Sequence, residues 1–276
     1  MRGGSDGARG RGGGRERPSF ADDGIVLRTH KLGESDKIVR VLTRGHGKRS
    51  AVAKGARKTT SRFGGRLEPL TLLELFLHRG RSMDTIQQTE IKTSFKEVRE
   101  DLDLFLHASA MVELIDRITL EGEPHPELFD LLERGLTLLG SHPGRAPETL
   151  VFFEFRVLAA AGFELRVTGC ASCGGETGAG EVSFSLHMGG LVCDRCRADA
   201  RRETGKMIRV GGEAAGVLDW IAGHDLGEWP ESEPGPAARR ELRYLMDRVL
   251  EHWMEREFKT HRVMRRMPDG RASEGG

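Results

Sequence analysis

Long apolar runs are missing from this chain of 276 residues, of which 37% are hydrophobic and 31% are charged. Apolar stretches such as residues 150–153 are far shorter than the roughly 18 residues that a membrane span needs. Met1 is followed by Arg and Gly, not by the apolar segment of a secretory signal. Four cysteines are too few for a disulfide scaffold in a chain of this size. We therefore expect a soluble, reduced, cytoplasmic protein that has no contact with a membrane.

A net charge of one sign is missing too, because 43 Lys and Arg residues nearly balance 42 Asp and Glu residues and leave +1. The total hides a segregation of charge along the chain. Residues 24–66 contain twelve Lys or Arg and two acids, a net charge of +10, whereas residues 96–133 carry a net charge of −8. One-sided positive charge is the electrostatic footprint of a nucleic-acid binder. A solvated charged face is the alternative interpretation of the basic segment.

Catalytic motifs are the third absence. The chain contains no G-x4-G-K-[ST] phosphate loop, no H-E-x-x-H zinc motif and no G-x-S-x-G nucleophile elbow. The glycines of residues 10–14 do not follow a strand, so they do not form a dinucleotide loop. Acids in residues 97–103 suit the first turn of an exposed helix better than a metal-dependent nuclease centre. We expect no enzymatic activity and no small-molecule substrate.

Short strands are predicted in the basic part of the chain. Five brief segments rich in Val, Ile, Leu and Thr are separated by Gly or charged residues: 24–29, 37–43, 49–53, 71–77 and 85–91. Five short strands in about 70 residues suggest a small closed barrel of the OB-fold type, whose face and loops commonly bind oligonucleotides. Only Phe63 and Phe76 follow Phe20 in this segment, so base stacking is expected to be sparse and contacts to the phosphate backbone to dominate.

Helices are predicted beyond the strands, because the apolar spacing changes to three and four residues near residue 102. The predicted helices run from residue 102 to near residue 122 and over residues 127–139, 148–161, 213–221 and 237–264, and the third is apolar on nearly all sides, so it should be buried. The predicted class is α+β, an OB-fold barrel followed by a helical domain with a four-cysteine zinc-ribbon insert. The predicted domains are a disordered tail at 1–19, a DNA-binding barrel at 20–93, a helical domain at 94–265 with the insert at 166–201, and a disordered tail at 266–276.

All four cysteines occur in two C-x-x-C pairs, Cys170 with Cys173 and Cys193 with Cys196. Nineteen residues separate the pairs, which is the spacing of a zinc site. Four thiolates would complete a tetrahedral shell around one Zn²⁺ and leave no open position, so the ion would be structural. A redox dithiol, disulfides and four unrelated core cysteines are the alternatives. A reducing compartment disfavours disulfides, and His187 between the pairs is expected to be a loop residue.

Four strings of the chain are distinctive: GESDKI at 33–38, AKGARK at 53–58 with Ser61, Phe63, Leu67, Glu68 and Pro69 beyond it, FRVLAAAGF at 155–163 and FKTHRVMRR at 258–266. Together they resemble the RecO family of bacterial recombination mediators. The resemblance covers about residues 22–265 and includes the order of barrel, helices and cysteine insert. It implies a protein that binds single- and double-stranded DNA and anneals complementary strands. It also implies that the protein acts with RecR to load RecA on strands coated by the single-strand binding protein SSB.

Charge and strand position select the candidate DNA contacts, since the family strings identify the segment but not the individual residues. The candidates are Arg28, Lys37, Arg40, Lys48, Arg49, Lys54, Arg57, Lys58, Arg62 and Arg66. Lys54, Arg57 and Lys58 are the strongest of them, because they flank Gly55 in a loop where backbone can approach phosphate. The alternative function is a zinc-ribbon scaffold whose main partner is a protein that docks on the acidic helices at 97–133.

Overall fold

The structure is a computed structural model that describes residues 19–178, 180–254 and 258–265. The two predicted tails lie outside these ranges, apart from Ser19, where the first strand begins. No helix within the described ranges is long and apolar enough to cross a membrane. The division into domains stays a prediction.

A closed five-stranded barrel forms the N-terminal part of the molecule, which confirms the predicted OB-like fold. Its strands are β1 (Ser19–Leu32), β2 (Asp36–Thr43), β3 (Gly47–Ala53), β4 (Leu72–His78) and β5 (Asp84–Thr93). The strands pair in the order β1-β2-β3-β5-β4, and β4 pairs back onto β1. Short parallel pairing of Ala51 and Val52 with Asp84 and Thr85 joins β3 to β5. Closure leaves no long unpaired edge, so the outer surface and the connecting loops are what a ligand meets.

The helical part consists of α1 (Lys96–Glu100), α2 (Leu102–Ile118), α3 (Pro126–Ser141), α4 (Ala146–Ala160), α5 (Asp194–Thr204), α6 (Gly212–Gly223), α7 (Pro236–Met254) and α8 (Lys259–Met264). The predicted central helix is α4, and Leu150, Phe153 and Val157 on it are completely buried. Burial on nearly all sides follows from its apolar composition, because such a helix has no polar face to present to water. The same core extends to Ile25 and Leu42 of the barrel.

A small three-stranded sheet lies between α4 and α6 in the chain and adjoins the cysteines. It consists of β6 (Val182–Ser185), β7 (Gly190–Val192) and β8 (Met207–Val210), in the order β7-β6-β8. Phe184 and Val210 belong to the helical core, whereas Cys170, Val192, Cys193 and Ala200 form a separate small cluster. The sheet thus attaches the cysteine-bearing segment to the helices.

The C-terminal helix α8 is held by buried charges. His261 is 1% exposed and lies between two carboxylates, with Nε2 2.9 Å from Glu154 Oε1 on α4 and Nδ1 2.5 Å from Asp247 Oδ1 on α7. Burial alone would lower the pKa of His261, but the charge of Glu154 and the bond to Asp247 outweigh it and raise the pKa. The imidazole therefore favours its charged form, which forms an ion pair with each carboxylate.

Glu113 of α2 caps the start of α8. Its carboxylate accepts hydrogen bonds from the backbone nitrogens of Lys259 at 2.9 Å and Thr260 at 2.8 Å. Burial opposes ionisation of Glu113, but these bonds and nearby Arg117 outweigh it and lower the pKa of the carboxyl. The guanidinium of Arg117 also lies over the buried ring of Phe258, 4.2 Å from its centroid. α8 is thus bound to α2, α4 and α7 through both polar and apolar contacts.

Candidate nucleic-acid interface and metal centre

The segment between β3 and β4, residues 54–66, is here called the cationic loop. Ala56 and Phe63 are buried in the barrel core, together with Leu67 just beyond the loop, so apolar anchors hold this segment against the barrel. The loop contains five basic residues and no acid, and all five are exposed: Lys54, Arg57, Lys58, Arg62 and Arg66. An anchored loop with exposed cations offers a fixed positive surface to a polyanion.

Individual cations of the loop are also oriented by local contacts. Arg62 lies over the ring of Phe63, with Cζ 4.9 Å from the centroid. Arg66 Nη1 donates a hydrogen bond to the carbonyl of Arg62 at 3.1 Å. Among the described residues, no acid forms an ion pair with any of the five loop cations. Within the described residues, none of these charges is therefore neutralised by an ion pair.

Three other predicted DNA contacts converge on one carboxylate of α2. Asp116 is 3.0 Å from Arg28 Nη2, 3.2 Å from Arg40 Nη1 and 3.3 Å from Lys48 Nζ. Arg28 and Arg40 are also opposed across β1 and β2, where like charges repel. Asp116 offsets that repulsion and joins the barrel to the helices. Lys48 is 7% exposed, whereas the side chains of Arg28 and Arg40 are 43% and 40% exposed.

The last two predicted contacts have acidic partners on the barrel itself. Lys37 Nζ lies 3.1 Å from Glu68 Oε1, and Arg49 Nη2 lies 2.7 Å from Asp84 Oδ2. The ten predicted residues are therefore divided. Five stand together on the cationic loop without ion-pair partners in the described chain, and the other five take part in ion pairs.

Acids of the helical part contact the basic barrel, which the segment charges alone did not indicate. Besides Asp116, Glu121 Oε1 accepts a hydrogen bond from the backbone nitrogen of Ser50 at 3.0 Å, and Asp130 Oδ2 lies 3.0 Å from Arg44 Nη2. Gly47 permits the close approach, because a β-carbon there would overlap the carbonyl of Glu123. Part of the opposite charge on the two segments is thus neutralised within the molecule.

The four cysteine sulfurs converge, as their spacing predicted. Cys170, Cys173, Cys193 and Cys196 place their sulfur atoms within 4.8 Å of one another, so they could hold one metal ion. The first pair lies in a tight turn in which Gly174 donates a backbone hydrogen bond to the Cys170 carbonyl at 2.8 Å. Gly174 has φ +73°, a conformation that favours glycine.

The distances suit a tetrahedral ion. Zn–S bonds of about 2.3 Å place the sulfurs of a tetrahedron about 3.8 Å apart, and Cys173 Sγ lies 3.9 Å from Cys193 Sγ. Burial opposes ionisation of Cys170, but hydrogen bonds from the backbone of Cys193, Cys173 and Ser172 outweigh it and lower the pKa to about 6. Ser172 lowers the pKa of Cys196, yet the neighbouring sulfurs outweigh it and raise the pKa to about 12. Four thiolates this close need a cation to be ionised together.

Comparison with known families assigns both halves of the chain. A family model described as "Recombination protein O N terminal" matches residues 18–95, and one described as "Recombination protein O C terminal" matches residues 99–262. Three curated relatives, all called "DNA repair protein RecO", align along most of their length. Identity is 34% over 245 residues for Desulforamulus reducens, covering 89% of this chain and 93% of the relative. It is 36% for Frankia casuarinae, covering 88% and 97%, and 38% for a Nocardioides species, covering 87% and 97%.

Proposed function

The chain belongs to the RecO family, and we propose that it binds DNA through the cationic loop and anneals complementary strands during repair and recombination. The observation that carries this proposal is the set of five exposed loop cations that have no ion-pair partner in the described chain. Each phosphate that such a cation neutralises releases condensed counterions, which drives binding without reading sequence. Annealing then requires only that repulsion between two strands be lowered, and no bond is made or broken.

The other predicted contacts rank behind the loop. Arg28 and Arg40 are close enough to the surface to reach a second stretch of phosphate while Asp116 holds them. Lys37 and Arg49 would have to share their charge with Glu68 and Asp84. Lys48 is buried against Asp116, so we assign it to the barrel–helix contact first.

The proposed partners are single- and double-stranded DNA, RecR and SSB, with RecA loaded on the strand that SSB coats. The proposed metal is one structural Zn²⁺ held by the four cysteine thiolates, because a shell closed by four sulfurs leaves no position for substrate. The proposed place of action is the bacterial nucleoid in the cytoplasm. The protein-scaffold alternative is not favoured, since Asp116, Glu121 and Asp130 of the acidic segment 97–133 contact the barrel.

Replacing Lys54, Arg57 and Lys58 together by Ala is expected to reduce the salt dependence of DNA binding. If each contacts one phosphate, the slope of log K against log salt decreases by about two to three units, because each phosphate contributes about 0.7 to 0.9. Fluorescence anisotropy with a labelled single strand over a range of salt concentrations measures the slope.

The matched control removes three exposed cations that have acidic partners elsewhere, Lys96, Arg197 and Arg202. Its slope should stay close to that of the unmodified protein. A loop variant with an unchanged slope would remove these residues from the interface. Equal decreases in both variants would mean that net charge, not the loop, controls binding.

Strand annealing tests the proposed activity directly. The full-length protein is expected to speed the pairing of complementary strands coated with SSB, and the loop variant should lose most of that gain because only two of the five loop cations remain to screen the repulsion between strands. Fluorescence quenching between labelled strands follows the reaction. Recovery of a protein partner from a protein that binds no DNA at low salt would support the scaffold alternative instead.

A further inference from the structure

The turn between β1 and β2 contacts the cationic loop through hydrogen bonds. The backbone nitrogen of Arg57 donates to the carbonyl of Ser35 at 2.9 Å, and Arg57 Nη1 donates to the carbonyl of Gly33 at 2.7 Å. These contacts link residues that are 22 and 24 positions apart in sequence. The turn therefore supports the first part of the cationic loop.

Asp36, at the start of β2, adds a further contact between the turn and the cationic loop. Its Oδ1 accepts a hydrogen bond from the backbone nitrogen of Gly55 at 2.8 Å and another from Ser35 Oγ at 2.7 Å. The Gly55 amide is the largest cause, and the Ser35 hydroxyl the second, of a lowered pKa for the Asp36 carboxyl. Gly55 has φ +70°, so the chain turns sharply at the point where Asp36 holds it.

The position of this acid is unexpected for a DNA-binding surface. Asp36 acts electrostatically on Lys54 and Lys58, two of the loop cations. Judged by charge alone, a carboxylate there would repel phosphate and weaken binding. The hydrogen bond to Gly55 offers a compensating gain, because a loop that is ordered in advance loses less conformational entropy when it binds.

We propose that Asp36 is a positioning residue for DNA binding, which holds the cationic loop through Gly55 so that Lys54, Arg57 and Lys58 face the same strand. This inference rests on the proposed function of the loop. The inference predicts that removal of this acid from the DNA-binding surface weakens DNA binding, whereas charge alone predicts that it strengthens binding. Asp36 touches no phosphate in this account and acts through the backbone of the loop.

Asp36→Ala is expected to weaken binding to a labelled single strand by about fivefold to thirtyfold, because the backbone of a loop residue would then have to be ordered on binding. Asp36→Asn keeps an oxygen that can accept from Gly55 and loses the negative charge, so its binding should equal or exceed that of the unmodified protein. Glu34→Ala is the matched control, because Glu34 is an exposed acid in the same turn. Its removal should leave binding equal or up to about threefold tighter.

Ser35→Ala changes no charge and removes one of the two donors that orient Asp36. It should weaken binding about twofold, which tests positioning even if Asp36→Ala does not fold. Hydrogen exchange supplies a readout that needs no DNA: the amides of Gly55 and Arg57 should exchange faster in Asp36→Ala than in Asp36→Asn.

Tighter binding by Asp36→Ala, Asp36→Asn and Glu34→Ala alike would overturn the inference, since charge would then explain all three. Unchanged exchange at Gly55 and Arg57 in Asp36→Ala would overturn it as well. In either case, an unmodified protein that binds DNA with a steep salt slope would leave the proposed function in place. An unmodified protein that binds no DNA would remove both.

Discussion

Cys193→Ser is expected to abolish binding of the proposed zinc ion and to lower the free energy of unfolding by about 4 kcal/mol when free zinc stands about a thousandfold above its dissociation constant. The reason is that a metal held by the folded arrangement of sulfurs would add its binding energy to the folding energy. Cys193 is buried, and its sulfur is one of the four that converge, so its replacement leaves an incomplete shell of three thiolates. Chromophoric chelation measures the metal per chain, and thermal unfolding with and without zinc measures the stability.

His187→Ala is the control for the metal site. His187 is exposed on the segment between the two cysteine pairs and lies outside the group of four converging side chains. The variant should bind one zinc per chain and melt with the unmodified protein. Loss of metal in His187→Ala would indicate a different ligand set, and a Cys193→Ser variant that is as stable as the unmodified protein in zinc would contradict a structural metal. In that case the redox alternative for the cysteines would regain weight.

The predictable part of the fold is the part that local pattern controls. The five barrel strands appear at the predicted positions, because short β-rich segments between turn residues have few other ways to bury their apolar faces. The cysteine site follows from spacing, since two residues between thiolates allow both to reach one ion. Neither feature depends on which distant segment packs against which.

The division of the basic residues depends on such packing and could not be predicted. Arg40 and Arg57 are equivalent as letters in a basic segment, yet Arg40 meets Asp116 from 76 positions away and Arg57 is exposed on the cationic loop. A charge count along the chain cannot distinguish them, because it adds residues that are neutralised by another segment to residues that face solvent. The proposed role of Asp36 could not be predicted either, because it depends on the contact with Gly55. In a charge count, an acid in a basic segment only lowers the net charge.

The buried centre around His261 was missed because its three members come from three helices. Glu154, Asp247 and His261 are each at most 1% exposed, although charged residues are seldom fully buried unless paired. The sequence around Glu154 predicted an apolar helix, and one acid did not alter that pattern. Only the packing of α4, α7 and α8 shows that the acid has a partner.

Stability carried by this centre is expected to decrease as pH rises above about 6.5. Because the pKa of His261 is raised in the folded state, its contribution is fully present below the unfolded value, 6.5, and is lost as pH rises through the higher folded value. The pKa of Asp247 is lowered: burial opposes this, but His261, Arg243 and Arg265 outweigh it. Its contribution is present above the unfolded value, 3.8, and is lost as pH falls through the lower folded value. The stabilising contributions of His261 and Asp247 are therefore both fully present between pH 3.8 and pH 6.5.

His261→Gln isolates the histidine in this window. At pH 6 the free energy of unfolding of the variant should be about 3 to 5 kcal/mol lower than that of the unmodified protein. The reason is that the variant leaves Glu154 and Asp247 buried without the cation between them. This difference in the free energy of unfolding should become smaller at higher pH, where His261 of the unmodified protein loses its proton and its positive charge. Ion pairs from Arg243 and Arg265 to Asp247 moderate the loss. Denaturant unfolding at several pH values measures the difference.

A second histidine, His107, has a lowered pKa, so its effect on stability with pH is opposite to that of His261. The pH dependence of the unmodified protein must therefore be compared with that of His261→Gln. Burial lowers the pKa of His107 most strongly, aided by Arg243 and opposed by Asp103 and Glu154. Its effect therefore lowers stability as pH falls below 6.5, and it is present in both proteins. Because His107 and His261 share Glu154 and Arg243, the difference between the two proteins removes the common part of the His107 effect and contains the His261 contribution together with their coupling. A deficit that stays constant from pH 6 to pH 9 would show that His261 acts by packing alone, whereas a narrowing deficit is the mark of a buried imidazolium that holds α8 against α4 and α7.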